Sequence, residues 1–446
     1  VRSTYLKILG LAAPVILANL SVPLLGAVDT AILGHLDNAI HLGAVAVGSQ
    51  LITLVLWIFG FLRMGTTSLA SRFYGAGDNL ALHLLILRSL GLGVIFGFGA
   101  IAVSPWMIPW TIDIIAGDSL VSQDALAYAN IRIWSAPATL CSYAIAGWFI
   151  GRQNTAVIAI LLVAMNSLNI FLDFIFIITW GLESRGAAYA SLISEYVGFV
   201  IAFGFLLKTQ FREHWAPKWT VLLEPTAIKS LISINAQIMV RTFALVMTTT
   251  FFVAMSSRQG EATLAANAIL ISLLYLTAYG LDGVANATEA MVGKAFGKGD
   301  SEDLRQILKG SMHVAFGFAL MSSLTILFGQ TQIIQLYTSL AEVSELAVKY
   351  IPWMVALPLL SFWGFQYDGI FIGMGMGHEM MMSMLFAVVF IFFPVWWGTQ
   401  ALGNHGLWLA MCSWYLGRSL SQWYLLTQKM NEQGFTNESD PIVVNE

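Results

Sequence analysis

Asp29 stands among apolar neighbours, between Leu24-Leu25-Gly26-Ala27-Val28 and Ala31-Ile32-Leu33, with no basic residue close in sequence to neutralise it. An ionisable side chain inside a membrane-length apolar run is costly and marks a pathway or a relay by default. Burial disfavours the charged form of a carboxyl group, so an acid placed there can take up a proton and give it back. Asn169 and Asp173 lie four apart in another apolar run, and Ser191 and Glu195 four apart in the next, so each pair shares one helix face. If those faces meet the first run, Asp29, Asn169, Asp173 and Ser191 form one oxygen-rich cluster. Such a cluster suits a proton, or a hard cation such as sodium. The blander readings are a helix-end Asp29 wetted by solvent, and Asn169 and Ser191 acting only as glue between spans. Pro14 and Pro23 flank the approach to Asp29; proline removes a backbone hydrogen bond and permits a bend, which makes Pro14 a candidate hinge.

The second half of the chain carries its own charges in apolar surroundings: Arg241, Asp282, Glu289 and Asp368. A guanidinium stays charged and needs a carboxylate or water partner inside a bilayer, and Asp282 or Glu289 is the expected partner of Arg241. Asp368 is expected to line a cavity.

The elements that must position these groups are membrane helices. The chain of 446 residues is 58% hydrophobic and 10% charged, with a mean hydropathy of +0.76. Soluble domains average about 25% charged residues, so this chain could not cover itself for water. Stretches long enough to cross the hydrocarbon core fall near 8–33, 42–66, 83–106, 124–150, 156–180, 187–207, 230–255, 263–288, 308–329, 344–372, 380–401 and 406–428. With the N-terminus inside, Arg72, Arg88, Arg152, Lys208, Arg212, Lys218, Lys229, Lys294, Lys298, Arg305 and Lys309 fall at inner ends, against Arg185 and Arg258 in outer loops. That asymmetry places both termini in the cytoplasm. The expected fold is therefore an all-α integral membrane protein of twelve transmembrane helices.

Residues 42–78 return as 264–300, at a constant offset of 222 positions. Gly75-Ala76-Gly77-Asp78 matches Gly297-Lys298-Gly299-Asp300, and Gly147-Trp148-Phe149-Ile150-Gly151 matches Gly369-Ile370-Phe371-Ile372-Gly373. Two copies of one apolar unit suggest a membrane transporter with related halves. The expected organisation is a lobe at 1–207, a charged, proline-bearing linker at 208–229, a second lobe at 230–430 and a polar tail at 431–446. Six spans per lobe is an even number, so a pseudo-two-fold axis along the membrane normal is expected.

Other signals are discounted. The turn at Gly373-Met374-Gly375-Met376-Gly377 has no strand before it and no phosphate-binding Lys after it. His35, His41 and His405 lack metal-ligand spacing, and no metal site is expected. Cys141 and Cys412 both fall in apolar runs, so no disulfide framework is expected. A net charge of −4 gives no footprint for nucleic acid. No nucleophile–base pair suggests an enzyme.

These features together resemble the multidrug and toxic-compound extrusion (MATE) family, and its DinF-like branch in particular. The stretch LAAPVILANLSVPLLGAVDTAILGHL looks like that family's first helix, and NAILISLLYLTAYGLDGVANATEAMVGKAFGKGD, with Arg241 upstream, looks like the DinF-like branch. The resemblance implies two six-helix lobes around a cavity open alternately to either side. It also implies export of amphipathic, often cationic, small molecules in exchange for protons or sodium, with no cofactor. Carried over by position, Asp29 matches the first-helix coupling carboxylate, Asn169 and Asp173 the Asn-x-x-x-Asp pair, and Ser191 a position often held by Thr. Tyr128 resembles a Tyr near the same site, and Asp368 the acid of the second lobe in the NorM-like branch. Arg241 falls where that branch places a Glu, which favours the first lobe for coupling. The resulting expectation is a monomeric, proton-driven antiporter of a bacterial inner membrane, in contact with membrane lipid. Sodium coupling at the same cluster is one rival. A lipid-linked precursor flippase is another, disfavoured because Arg63, Arg132, Arg241, Lys349 and Arg418 are scattered over five spans.

Overall fold

A computed structural model describes residues 2–34, 39–116, 120–210 and 219–432. The described residues are helical, with no strand among them. In chain order the helices are α1 (Arg2–Gly34), α2 (Ala39–Ile58), α3 (Phe61–Ala76), α4 (Asn79–Ala116), α5 (Leu120–Arg132), α6 (Ala136–Gly151), α7 (Thr155–Asp173) and α8 (Glu183–Gln210). They continue as α9 (Trp219–Leu222), α10 (Pro225–Ser257), α11 (Glu261–Lys298), α12 (Ser301–Tyr337), α13 (Ala341–Met374), α14 (Gly377–Phe386), α15 (Phe393–Gly398) and α16 (Asn404–Glu432). Eleven described helical stretches are long and apolar enough to cross a membrane. Large apolar side chains face outward, among them Leu336 at 86% and Phe328 at 79% exposure, which only a lipid environment makes stable.

The span expected at 406–428 is the helix α16, 29 residues long but less apolar than the others. Its polar groups turn inward: Arg418, Gln422 and Asn404 are all buried. The span expected at 124–150 is two helices, α5 and α6, joined by a tight turn at Ile133–Ser135. Two spans contain a π-helical turn, Phe174–Thr179 directly after α7 and Ala387–Phe392 between α14 and α15. A π turn inserts one residue into the helical register and is frequent at functional sites.

By internal contacts the chain divides into one unit of residues 17–235 and another of residues 1–16 with 236–446. The division falls inside α1, one turn past Pro14, and inside α10. The expected linker lies partly, and the expected tail almost wholly, outside the described residues. In the first unit α3 and α4 pack on α6, α2 on α5, and α5 and α7 on α8; in the second, α11 and α12 pack on α13, and α13 on α16.

The repeat reappears atom by atom at the same offset. Gly77 (φ 72°) and Gly299 (φ 73°) end α3 and α11 in the left-handed conformation that favours glycine. Asp78 accepts a hydrogen bond from the Ala81 N–H at 2.9 Å, and Asp300 accepts one from Asp303 at 3.0 Å. A Cβ on Gly147 would collide with the carbonyl oxygen of Arg63, and one on Gly369 with that of Ala285, 222 positions on. These glycines let α6 approach α3, and α13 approach α11, at backbone distance, as small residues do between membrane helices.

Candidate functional site

Asn169 and Asp173 occupy the last turn of α7, buried to 3% and 1% exposure. With its amide nitrogen turned toward the carboxylate, Asn169 donates to Asp173 Oδ2 at 3.0 Å. Its oxygen then accepts from the Ser191 backbone N–H at 3.0 Å and from the Ser191 hydroxyl at 3.2 Å. Amide orientation follows from matching donors to acceptors, and this one does so. Three of the four residues expected to cluster are thus together, on α7 and α8. The π turn starts at the residue after Asp173, so the carboxylate sits where the helical register changes. The side chain of Asp29, the fourth member, lies outside the described residues. α1 nevertheless reaches α7 one turn earlier, where Asn166 Nδ2 donates to Ser21 Oγ at 2.6 Å.

This arrangement has a defined response to a proton. An ionised carboxylate only accepts, and Asn169 supplies it a donor. A protonated Asp173 carries a donor of its own, which the amide nitrogen cannot accept. With that proton on Oδ2, Asn169 must turn its oxygen toward Asp173 or release it, which disturbs the bonds to Ser191; with it on Oδ1, Oδ2 still accepts from Asn169 through a weaker, neutral bond.

One turn beyond Ser191 on α8, Glu195 forms a half-sequestered ion pair with Arg132 of α5, Nη2 to Oε1, at 2.9 Å. Thr139 of α6 donates to Glu195 Oε2 at 2.6 Å, and Arg132 donates to Ser135 Oγ at 3.0 Å. Tyr128, one turn before Arg132 and 4% exposed, interacts with that guanidinium. The pair neutralises two charges among three helices.

The second unit is arranged differently. Arg241 of α10 does pair with an acid, but the acid is Asp368 of α13 and neither Asp282 nor Glu289. Arg418 of α16 donates to the same carboxylate oxygen at 3.0 Å, and Gln422 donates to the other at 2.6 Å. The expectation for Arg241 rested on the neighbouring span, whereas helix packing brings α13 and α16 to it. Asp368 is therefore held by two guanidiniums and an amide, so two of the five basic residues that look scattered in sequence, Arg241 and Arg418, meet in space. Asp282 lies within electrostatic reach of Arg418 and Tyr415. Glu289, two turns further along α11, is buried to 1%. Pro14 lies within the continuous helix α1.

Sequence reasoning missed the Arg132–Glu195 pair, although the four-residue spacing of Ser191 and Glu195 pointed to that face. It also missed His41. That residue sits inside α2, with Nδ1 2.9 Å from Asp124 Oδ2 and Nε2 3.2 Å from Glu183 Oε2. His405 accepts from the Trp353 indole at 3.0 Å, a packing role. Among the described residues no group of His, Cys, Asp and Glu converges as metal ligands.

The family model described as MatE matches residues 14–175 and 238–397. DNA damage-inducible protein F of Escherichia coli (strain K12) is 35% identical over 429 residues, 92% of this chain and 89% of its own length. The probable multidrug resistance protein NorM of Acinetobacter baylyi (strain ATCC 33305 / BD413 / ADP1) is 24% identical over 420 residues, 89% of this chain and 90% of its own. Among solved structures, an outward-facing conformation of a multidrug resistance MATE family transporter of the MOP superfamily superposes with a TM-score of 0.86. It is 20% identical and covers 97% of both chains, a likeness that speaks for the fold.

Proposed function

This chain belongs to the MatE family of multi-pass membrane transporters, and on that premise we propose that it is a proton-coupled exporter of amphipathic, cationic small molecules. Members of the family are transporters and not enzymes. The observation that carries the proposal is the contrast in how the two units hold their acids. Asp173 is bound by a neutral amide and lies beside a hydroxyl, so its charge is open to exchange with a proton. Asp368 is held by Arg241, Arg418 and Gln422 and is committed to them.

In this reading Asp173, with Asp29, takes a proton from the outer side. Protonation reorients Asn169 and loosens its hold on Ser191, and the Asn166–Ser21 bond passes the movement of α7 to α1. Pro14 lets α1 bend, and the bend narrows the binding space and expels the substrate. Each net charge moved through 100 mV of membrane potential contributes about 2.3 kcal/mol. The basic residues of the sequence favour both termini inside, and the membrane is read as a bacterial inner membrane. Sodium is the alternative ion, because Asn169, Asp173 and Ser191 all offer oxygen ligands.

The test is uptake of a fluorescent cation, ethidium, into proteoliposomes under an imposed proton or sodium gradient, for the native chain and Asp29→Asn. Proton-driven transport that the variant loses is the expected result. Sodium-driven transport would replace the proton assignment. No ethidium movement under either gradient would overturn export of cations and favour a flippase.

A further inference from the structure

The strongest chemistry outside the coupling site is at the end of the first unit opposite the turn at Gly77-Asp78. There His41 on α2 faces Asp124 on α5 through one ring nitrogen and Glu183 on α8 through the other. A neutral imidazole has one N–H and one lone pair. Its lone pair would point at a carboxylate oxygen on one side or the other, which is repulsive. Both contacts are satisfied when the trio holds one proton more, as an imidazolium between two carboxylates or as a carboxylic acid beside a neutral ring. The carboxylates approach opposite nitrogens, so they do not converge on one point as metal ligands must.

The trio stands directly over an apolar seat. One helical turn below His41, Asp124 and Glu183 come Val45, Tyr128 and Ala187, which form one buried apolar cluster with Ala188 and Ile177. Ile177 is 1% exposed and belongs to the π turn Phe174–Thr179, which begins next to Asp173. The other end of that turn leads through Gly181 (φ 64°) to Glu183, a non-glycine residue held at φ 53°. A residue in this conformation persists where its surroundings over-determine it, and the half-exposed Glu183 carboxylate lies 3.2 Å from His41 Nε2.

We propose that His41, Asp124 and Glu183 bind a proton between them, and that this proton clamps α2, α5 and α8 around Ile177 and so sets the π turn that positions Asp173. No other described charge faces the ring. Arg185 is exposed two residues beyond Glu183, on a different side of α8, and Asp113, the acid α4 brings to this end, is exposed. When the proton leaves, one carboxylate contact is lost, the seat around Ile177 loosens, and the π turn is free to revert to α-helical register. The consequence for transport rests on reading Asp173 as the coupling acid; the clamp itself does not. His41, Asp124 and Glu183 act as positioning residues in this account, since they reach Asp173 only through the backbone.

The test is hydrogen–deuterium exchange of the full chain in lipid nanodiscs between pH 5 and 8.5, corrected for the intrinsic rate, read on the peptide 174–187. In the native chain, protection of this peptide is about tenfold lower at the alkaline end of that range than at the acid end, reflecting the loss of a charge-assisted hydrogen bond. His41→Gln shows low protection at every pH, and His41→Arg, which keeps the charge, shows high protection at every pH. Peptides from α12 show no such step in any variant and report that the fold is intact. A native chain without the step, or a step that survives in His41→Gln, overturns the proposal. Ethidium transport is measured on the same preparations. A native chain that shows the step but moves no ethidium supports the clamp and contradicts the transport reading.

Discussion

The two halves of this chain share a repeat down to single hydrogen bonds, yet they treat buried carboxylates in opposite ways. In the first unit Asp173 is held by Asn169, a neutral donor, and Arg132 is paired with Glu195. In the second unit Asp368 takes two guanidiniums and Gln422. A carboxylate with a neutral neighbour can change charge at modest cost. One gripped by two arginines cannot, because its protonation would strand buried positive charge. The two copies of the repeat thus hold their acids differently, one beside a neutral amide and the other between two guanidiniums.

Substitutions test that contrast, and the largest effect is expected where the charge is fixed. Asp368→Ala leaves Arg241 and Arg418 facing each other in the protein interior and should cost about 3–5 kcal/mol. A fall in the detergent unfolding temperature, with loss of folded protein, is the check; a near-native temperature would mean the pair is solvated. Arg132→Met should destabilise in the same way by stranding Glu195, whereas the double change Arg132→Met with Glu195→Met should recover to within about 1 kcal/mol of native or better. A double variant as unstable as the single one would show that this pair does more than neutralise itself.

Gly147→Ala and Gly369→Ala probe what the halves still share. Each places a methyl against a facing helix backbone, and each should cost about 1–3 kcal/mol. Similar losses from the two would support an equivalent contact in both repeats; a cost at one position alone would break the equivalence. The smallest effect belongs to the inner turn. The Lys298 ammonium and the Asp303 N–H hold the Asp300 carboxylate below its ordinary range. Its folded value is depressed, so the stabilisation of α12 by this cap is complete above the ordinary carboxylate range and is lost as pH falls through the folded value. Asp300→Asn should remove that acid dependence and leave neutral-pH stability close to native; an unchanged acid limb in thermal unfolding would count against the cap.

Much of this was legible in the sequence, and the reasons are physical. Apolar runs of membrane length identify helices because nothing else satisfies the backbone in lipid. The four-residue spacing of Asn169 and Asp173 placed both on one face, and the structure seats them together. The constant offset of 222 predicted paired turns at Gly77 and Gly299, which adopt the same left-handed conformation. What the sequence hid depends on helix packing. Arg241 and Asp368 lie 127 residues apart, on helices that no local pattern joins. The span α16 is less apolar because its polar side faces inward, a direction that composition does not report. The π turn after Asp173 adds one residue to a helical register, and an apolar stretch such as Phe174-Ile175-Phe176-Ile177-Ile178 carries no mark of it. The pairing of His41 was hidden because its carboxylates lie 83 and 142 positions away.

The central claim is that the exchangeable carboxylate of the first unit couples ion flow to export. The most direct measurement is ethidium transport in proteoliposomes under a proton gradient for Asp173→Asn, alongside its unfolding temperature. Asparagine keeps the shape and an acceptor but cannot carry a proton, so the account predicts transport at the level of protein-free vesicles with a near-native unfolding temperature. Undiminished proton-driven transport by a folded Asp173→Asn chain would contradict it.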